Sequence, residues 1–428
     1  MAADAEADVL AVWRRARPWA LVAAFSLVLF AITAATYNAL GVVLPAMVAD
    51  QHWSWTEAGF GFTLLGAATG ASSFLPQIMI RRAGVRATLI AGTAVMTAGF
   101  LCLAEVHGVA LYFIGCALCG VGYQMMALIP GTHVLAAEFK HRALPFGVYF
   151  TSAALGGVAG PLSVLAAMDV FHGDWRLFWL GQAGLAIVVG VVCALIVGGS
   201  AALQRESAET DAELAAELAG AGHPRVYRTA VDWTPRAAFR TWQFYVLLAA
   251  YFGHLLIGVT VASVSVAHLT QRGVTAGVAG AMLSLEALMQ AVGRSLGGLV
   301  GDLIDPRWLL LIGLASLVVG SAALSVASSY PTMLLYAVGS GIGFGVTLLA
   351  VTVLLLNYFG RTHNLEIFAT TCLIGAVSAL GPTIGGALRD ATGGFCSTFQ
   401  LFAGVIAIVF VAAALMRPPD ISKQPAKG

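Results

Sequence analysis

GASSFLPQIMIRRAGVRATLIAG, residues 70–92, and GRSLGGLVGDLIDPRWLLLIG, residues 293–313, are built on one plan. Each is the Gly-rich end of an apolar run, then a short charged turn, then a new apolar run. The second copy falls at the matching place in the second half of the chain. Such an internal repeat predicts two related halves.

Working outward from these stretches, apolar runs separated by short polar punctuation occur near 19–43, 56–80, 87–105, 109–136, 144–168 and 176–199. A second set lies near 241–268, 276–301, 308–327, 332–357, 365–388 and 395–416. Runs of about 20 apolar residues are long enough to cross a bilayer as helices. The spacing therefore predicts an all-α membrane protein of twelve spans. Residues 1–199 form the first six-helix half, 200–240 a cytoplasmic linker and 241–428 the second half. The linker carries RESAETDAELAAELAG, an acidic, Ala-rich helix former, before the Pro break in HPRVYR.

Composition agrees. Of 428 residues, 59% are hydrophobic and only 10% charged, and the mean hydropathy is +0.87. A water-exposed surface needs more charge than that, so membrane lipid is the expected main solvent. A net charge of +1 leaves no basic face for nucleic acid. The first run is too long for the apolar core of a cleaved signal peptide, and it reads as a retained span.

The basic residues set an orientation. With a cytoplasmic N-terminus, 18 of the 22 Lys and Arg lie on the inner side. Only Arg176, Arg272 and Arg389 lie outside, and Arg294 sits within a span. That asymmetry predicts both termini in the cytoplasm of a multi-pass protein in the cell inner membrane.

The six cysteines fall in or beside apolar runs and give no disulfide framework. Cys116 and Cys119 make a CxxC inside a Gly-rich helix without a second ligand pair, so small packing residues are the expected reading and no metal site is predicted. No phosphate-binding GxxxxGK[ST] loop occurs, which leaves ATP-driven transport unsupported. No cofactor is implied. No nucleophile–base set suggests an enzyme, and no catalytic residue is assigned.

Charge inside a span costs about 2.5–3.5 kcal/mol on insertion scales, so each such residue requires a reason. In AGAMLSLEALMQAVGRSLGGLVGD, Glu286, Gln290 and Arg294 are spaced four apart and share one helical face. A rise of 1.5 Å per residue sets Arg294 about 12 Å from the inner end at Asp302. Arg294 either pairs with Glu286 and locks packing, or turns its planar fork to a cavity and holds a carboxylate. Glu286 is then a proton-coupling candidate, or simply faces a water pocket. His254 is a second proton-coupling candidate, with a packing histidine as the plainer reading. His133 and His268, near span ends, are expected at the membrane interface. Tyr37 and Asn38 interrupt the first span, and Tyr123 and Gln124 the fourth; they suit the lining of a wet cavity, or glue between helices.

Four stretches together resemble the monocarboxylate-transporter and oxalate/formate-antiporter branch of the major facilitator superfamily, in its bacterial form. They are HWSWTEAGFGFTLLG (52–66), EFKHRALPFGVYFTSAALGG (138–157), GRSLGGLVGD (293–302) and GPTIGGALRDATGGF (381–395). The resemblance implies the major facilitator fold, with twelve transmembrane helices in two pseudo-symmetric halves. It also implies alternating access and a carboxylate-binding role for Arg294. Animal members often carry an Asp where Gln290 stands, and the superfamily's inner-loop Asp is Arg81 here. No lysine occupies the eleventh span, which favours a single carboxylate over a dicarboxylate. The expected function is secondary transport of a small organic anion, a monocarboxylate, coupled to protons as symport, with the cavity shaped by Gln290, Tyr37, Asn38, Tyr123 and Gln124. Anion exchange, export of drugs or hydrophobic metabolites, and solute sensing without flux remain open.

Overall fold

The computed structural model describes residues 2–139, 143–197, 227, 229, 232–301, 304–360 and 363–419. Most of the expected linker, 198–226, lies outside the described residues, as do KHR (140–142) and Asp302. Among the described residues the chain is helical, and eleven helices are long and apolar enough to cross a membrane.

Helix α1 (Ala2–Thr33) passes through a π-turn (Ala34–Asn38) into α2 (Ala39–Gln51), so the first span is one interrupted rod. Next come α3 (Trp55–Ala71) and α4 (Phe74–Ala104). The fourth span is α5 (Val109–Tyr123), a π-turn (Gln124–Leu128) and α6 (Ile129–Glu138). Helices α7 (Ala143–Val170) and α8 (Trp175–Val197) follow. After the short α9 (Pro235–Ala238) come α10 (Trp242–Gln271), α11 (Ala276–Gly301), α12 (Pro306–Val326) and α13 (Tyr330–Phe359). The chain continues as α14 (Asn364–Gly375), a 3-10 turn (Ala376–Leu380), α15 (Gly381–Thr392) and α16 (Cys396–Leu415).

The count of eleven rather than twelve has a local cause. The expected second span, 56–80, is broken at Ser72 and Ser73, leaving α3 with 17 residues. Residues 74–83 form a further helical piece, which meets the following helix at Gly84, where the backbone is non-helical with φ 85° and ψ 168°. Only glycine adopts that backbone at little cost, so Gly84 is where one helix ends and the next begins.

Two compact units emerge, and they do not follow chain order. The first gathers 1–36, 68–160 and 166–221; the second gathers 37–67, 161–165 and 222–428. In the first unit α4 and α5 approach on a small-residue seam. A Cβ at Gly99 would stand 2.9 Å from the Cys119 nitrogen, and one at Gly122 would meet Met96 Cα at 2.9 Å. Close backbone contact of this kind is how helices associate in lipid, where apolar burial between helices gains little. Cys119 and Cys116 are buried in or beside that seam and, like the other four, are unbridged. Phe100 stacks on Trp179 with centroids 5.8 Å apart, tying α4 to α8.

In the second unit, the GSGIGFG run of α13 puts glycines on two faces. Gly339 and Gly343 abut α12, where a Cβ at Gly343 would lie 2.7 Å from the Leu317 nitrogen. Gly341 and Gly345 abut α11, where a Cβ at Gly345 would lie 2.9 Å from the Arg294 nitrogen and overlap the Gln290 carbonyl. His268, in the last turn of α10, is 2% exposed; its Nε2 is 2.8 Å from the Leu324 carbonyl and its ring packs on Phe399. A neighbouring helix covers it, which position along its own span does not reveal.

A candidate solute site on the eighth span

The fourfold spacing on α11 becomes a hydrogen-bonded column. Glu286 is 2% exposed, and the Gln290 Nε2 donates to both its carboxylate oxygens, at 2.9 and 3.0 Å. Arg294 Nη2 donates in turn to Gln290 Oε1 at 3.3 Å. The amide thus bridges a buried acid and a half-buried guanidinium, using one end for each. Tyr336 of α13 is a further electrostatic neighbour of Glu286. An uncharged amide serves the acid through its NH2 and the base through its oxygen at once. An Asp at position 290 would instead set two acids a helical turn apart.

Phe344 extends the site to a second helix. Its ring lies 5.6 Å from the Arg294 Cζ and 4.9 Å from the ring of His254, so it separates the two. It fits there because a side chain on Gly258 would overlap it. His254 is fully buried, flanked also by Tyr251 at 4.9 Å, and Tyr251 hydroxyl lies 3.3 Å from Cys372 Sγ. Arg294, Gln290, Glu286 and His254 are therefore gathered in the second unit. Phe344 and Tyr251 were not singled out by the sequence; an aromatic lodged in a run of glycines was the available signal for Phe344.

The other candidates sit at helix irregularities. Tyr37 and Asn38 end the π-turn of the first span. Gln124 opens the π-turn of the fourth, directly after Tyr123. Single π-turns recur at functional positions because they displace side chains from the regular helical register. Tyr123 and Gln124 belong to the first unit, where Tyr123 hydroxyl is 3.2 Å from Thr33 Oγ1 and Gln124 Nε2 donates to the Thr69 carbonyl at 3.0 Å. A crevice of about 440 Å³ lined by Ile90, Thr97, Leu101, Ile187 and Val191 contains none of these residues and lies on the apolar flank of α4 and α8.

Helices of membrane-crossing length carrying a buried polar column mark a multi-pass membrane protein with a polar site among its helices. Residues 25–268 and 247–428 match the Major Facilitator Superfamily, and the chain belongs to that family. A bacterial homologue of the human lysosomal transporter Spinster, in an inward-facing unoccupied conformation, is similar over 94% of this chain and 96% of its own, with TM-score 0.68 and 16% identity. A mutant of the nucleoside transporter NupG is similar over 92% and 99%, with TM-score 0.71 and 11% identity. A POT family transporter bound to a thioalcohol-conjugated peptide is similar over 92% and 95%, with TM-score 0.70 and 13% identity. These identities establish the major facilitator fold and nothing finer. No curated protein matches the chain. The protein is a transporter rather than an enzyme.

Proposed function

We propose that the protein is a proton-coupled carrier of a small monocarboxylate, working by alternating access in the cell inner membrane, with Arg294 as the anion's docking point. The observation that carries this reading is the Glu286–Gln290–Arg294 column. An Arg fork grips a carboxylate with two parallel charge-assisted bonds, which selects planar anions over other solutes. Phe344, against the same guanidinium, offers an apolar surface for the solute's carbon chain.

The column also supplies a coupling device. Without solute, Arg294 balances Glu286 through the amide. A carboxylate docking on Arg294 takes up that positive charge and leaves Glu286 as a buried anion with no cation to offset it. An uncompensated buried ion costs several kcal/mol, and a proton on Glu286 removes the cost. One proton then accompanies one anion, and the loaded site is electrically balanced.

Glu286→Gln tests this. In proteoliposomes loaded with the variant, uptake of a short monocarboxylate driven by an imposed pH gradient should fall at least about tenfold. Exchange of labelled for unlabelled carboxylate at equal pH should persist, because Arg294 is intact. Undiminished pH-driven uptake would remove Glu286 from the mechanism. Wild-type protein that exchanges anions but ignores the gradient would make it an exchanger.

A further inference from the structure

Side chains lean toward the N-terminus of their helix, so Glu286 leans toward the end of the second unit where α11 and α13 begin and α10 stops. With a rise of about 1.5 Å per residue, it lies about 15 Å from that end. Tyr336 on α13 and Ser265 on α10 lie about 9 Å from the same end, between the acid and the helix termini. Tyr336 is an electrostatic neighbour of Glu286, and its hydroxyl interacts with that of Ser265. Both residues are enclosed, at 0% and 1% exposure.

Ser265 is unlike the other hydroxyl residues of its helix. Thr260, Ser263 and Thr270 each bond back to a carbonyl of α10, at 2.7, 2.9 and 3.0 Å. That local bond is a common one for a hydroxyl inside a helix. Ser265 does not make it, and neither Ser265 Oγ nor Tyr336 Oη completes a hydrogen bond of regular geometry to any described residue. Buried polar groups are costly unless satisfied, and a pair of hydroxyls beside a carboxylate suits a bound water. A metal ion fits less well. Gln290 Nε2 already donates to both Glu286 oxygens, and no group of three His, Cys, Asp or Glu side chains that could hold a metal occurs among the described residues.

We propose that Ser265 and Tyr336 form a proton relay that connects this end of the helices to Glu286 through bound water. The proposal rests on the reading of Glu286 as the proton acceptor. Each hydroxyl takes a proton on its oxygen as it passes its own onward, so both finish neutral. The net change is one O–H bond formed on the Glu286 carboxylate and one proton taken from water. The other titratable groups deep in these helices are engaged elsewhere. Arg294 reaches Glu286 through Gln290, and His254 lies behind Phe344. Tyr251 meets Cys372, and His268 meets the Leu324 carbonyl.

The test follows the protonated Glu286 carboxyl by infrared spectroscopy of the purified protein at acidic pH. Its carbonyl band, identified by its loss in Glu286→Gln, shifts when the proton exchanges for deuterium after mixing into heavy water. Tyr336→Phe should slow that exchange about a hundredfold, the low end of what a positioned proton-transferring side chain contributes. Ser265→Ala should slow it about tenfold, because water takes the place of a lost serine hydroxyl. Ser263→Ala, whose hydroxyl is bonded within α10, should exchange at the parent's rate. Loosened packing would speed exchange, so slowing separates a relay from a structural role. Unchanged or faster exchange in both Tyr336→Phe and Ser265→Ala would overturn the relay and leave Glu286 as the acceptor. Equal slowing in Ser263→Ala would overturn it as well. A parent with no band assignable to Glu286 at any pH would remove Glu286 as the acceptor, and the relay with it.

Discussion

Arg294→Gln is expected to lower monocarboxylate uptake in proteoliposomes at least a hundredfold while leaving the protein folded. Two charge-assisted bonds to a carboxylate, each contributing about 1.5–3 kcal/mol, set that scale. The fold should tolerate the change because Gln290 keeps its bonds to Glu286, and Glu286 can hold a proton once its balancing cation is gone. Arg294→Lys separates charge from geometry. It keeps the positive charge but presents a point instead of a fork, so uptake should fall about tenfold. Equal activity in all three proteins would mean that the solute does not dock on this side chain.

Gly345→Val should have the largest effect on stability. The new side chain would be driven into the Gln290 carbonyl and against the Arg294 nitrogen, 2.9 Å from a Cβ at that position. Both are backbone atoms of α11, so no rotamer change relieves the clash and the helices must part. Overpacking in a fixed core costs about 1–3 kcal/mol and more where backbone blocks relaxation. A fall in melting temperature of about 5–10 °C is expected for the purified protein. Gly345→Ala should show a smaller fall. Because the moved backbone carries the proposed anion site, whatever Gly345→Val protein folds should also bind carboxylates poorly. A variant as stable and active as the parent would mean that α11 and α13 are not in this contact.

The charged column was legible because it lies on one helix. Residues four apart share a face whatever the neighbours do, so Glu286, Gln290 and Arg294 could be grouped from spacing alone. The apolar run lengths and the duplicated turn stretches likewise carried the helical membrane fold. Contacts between helices were not legible. Phe344 meets Arg294 and His254 only because Gly258 on another helix leaves room. The alternation of glycines in GSGIGFG between two neighbours could not be assigned faces without those neighbours. The polar interruptions at Tyr37–Asn38 and Tyr123–Gln124 were visible, but not the π-turns beneath them, since a register change of one residue leaves hydrophobic periodicity nearly intact. The turn around Gly84 was legible from its charged, glycine-containing punctuation, and the backbone there is non-helical between two helices.

The most direct measurement is a thermal-shift titration of purified protein with short carboxylates, their amides and neutral alcohols, in parent and Arg294→Gln forms. A ligand that binds only the folded state raises the melting temperature by mass action. The account predicts stabilisation of the parent by one or more monocarboxylates, none by the matched amides, and no carboxylate effect in Arg294→Gln. Carboxylates that stabilise both forms equally, or amides that stabilise the parent as well as acids do, would contradict it.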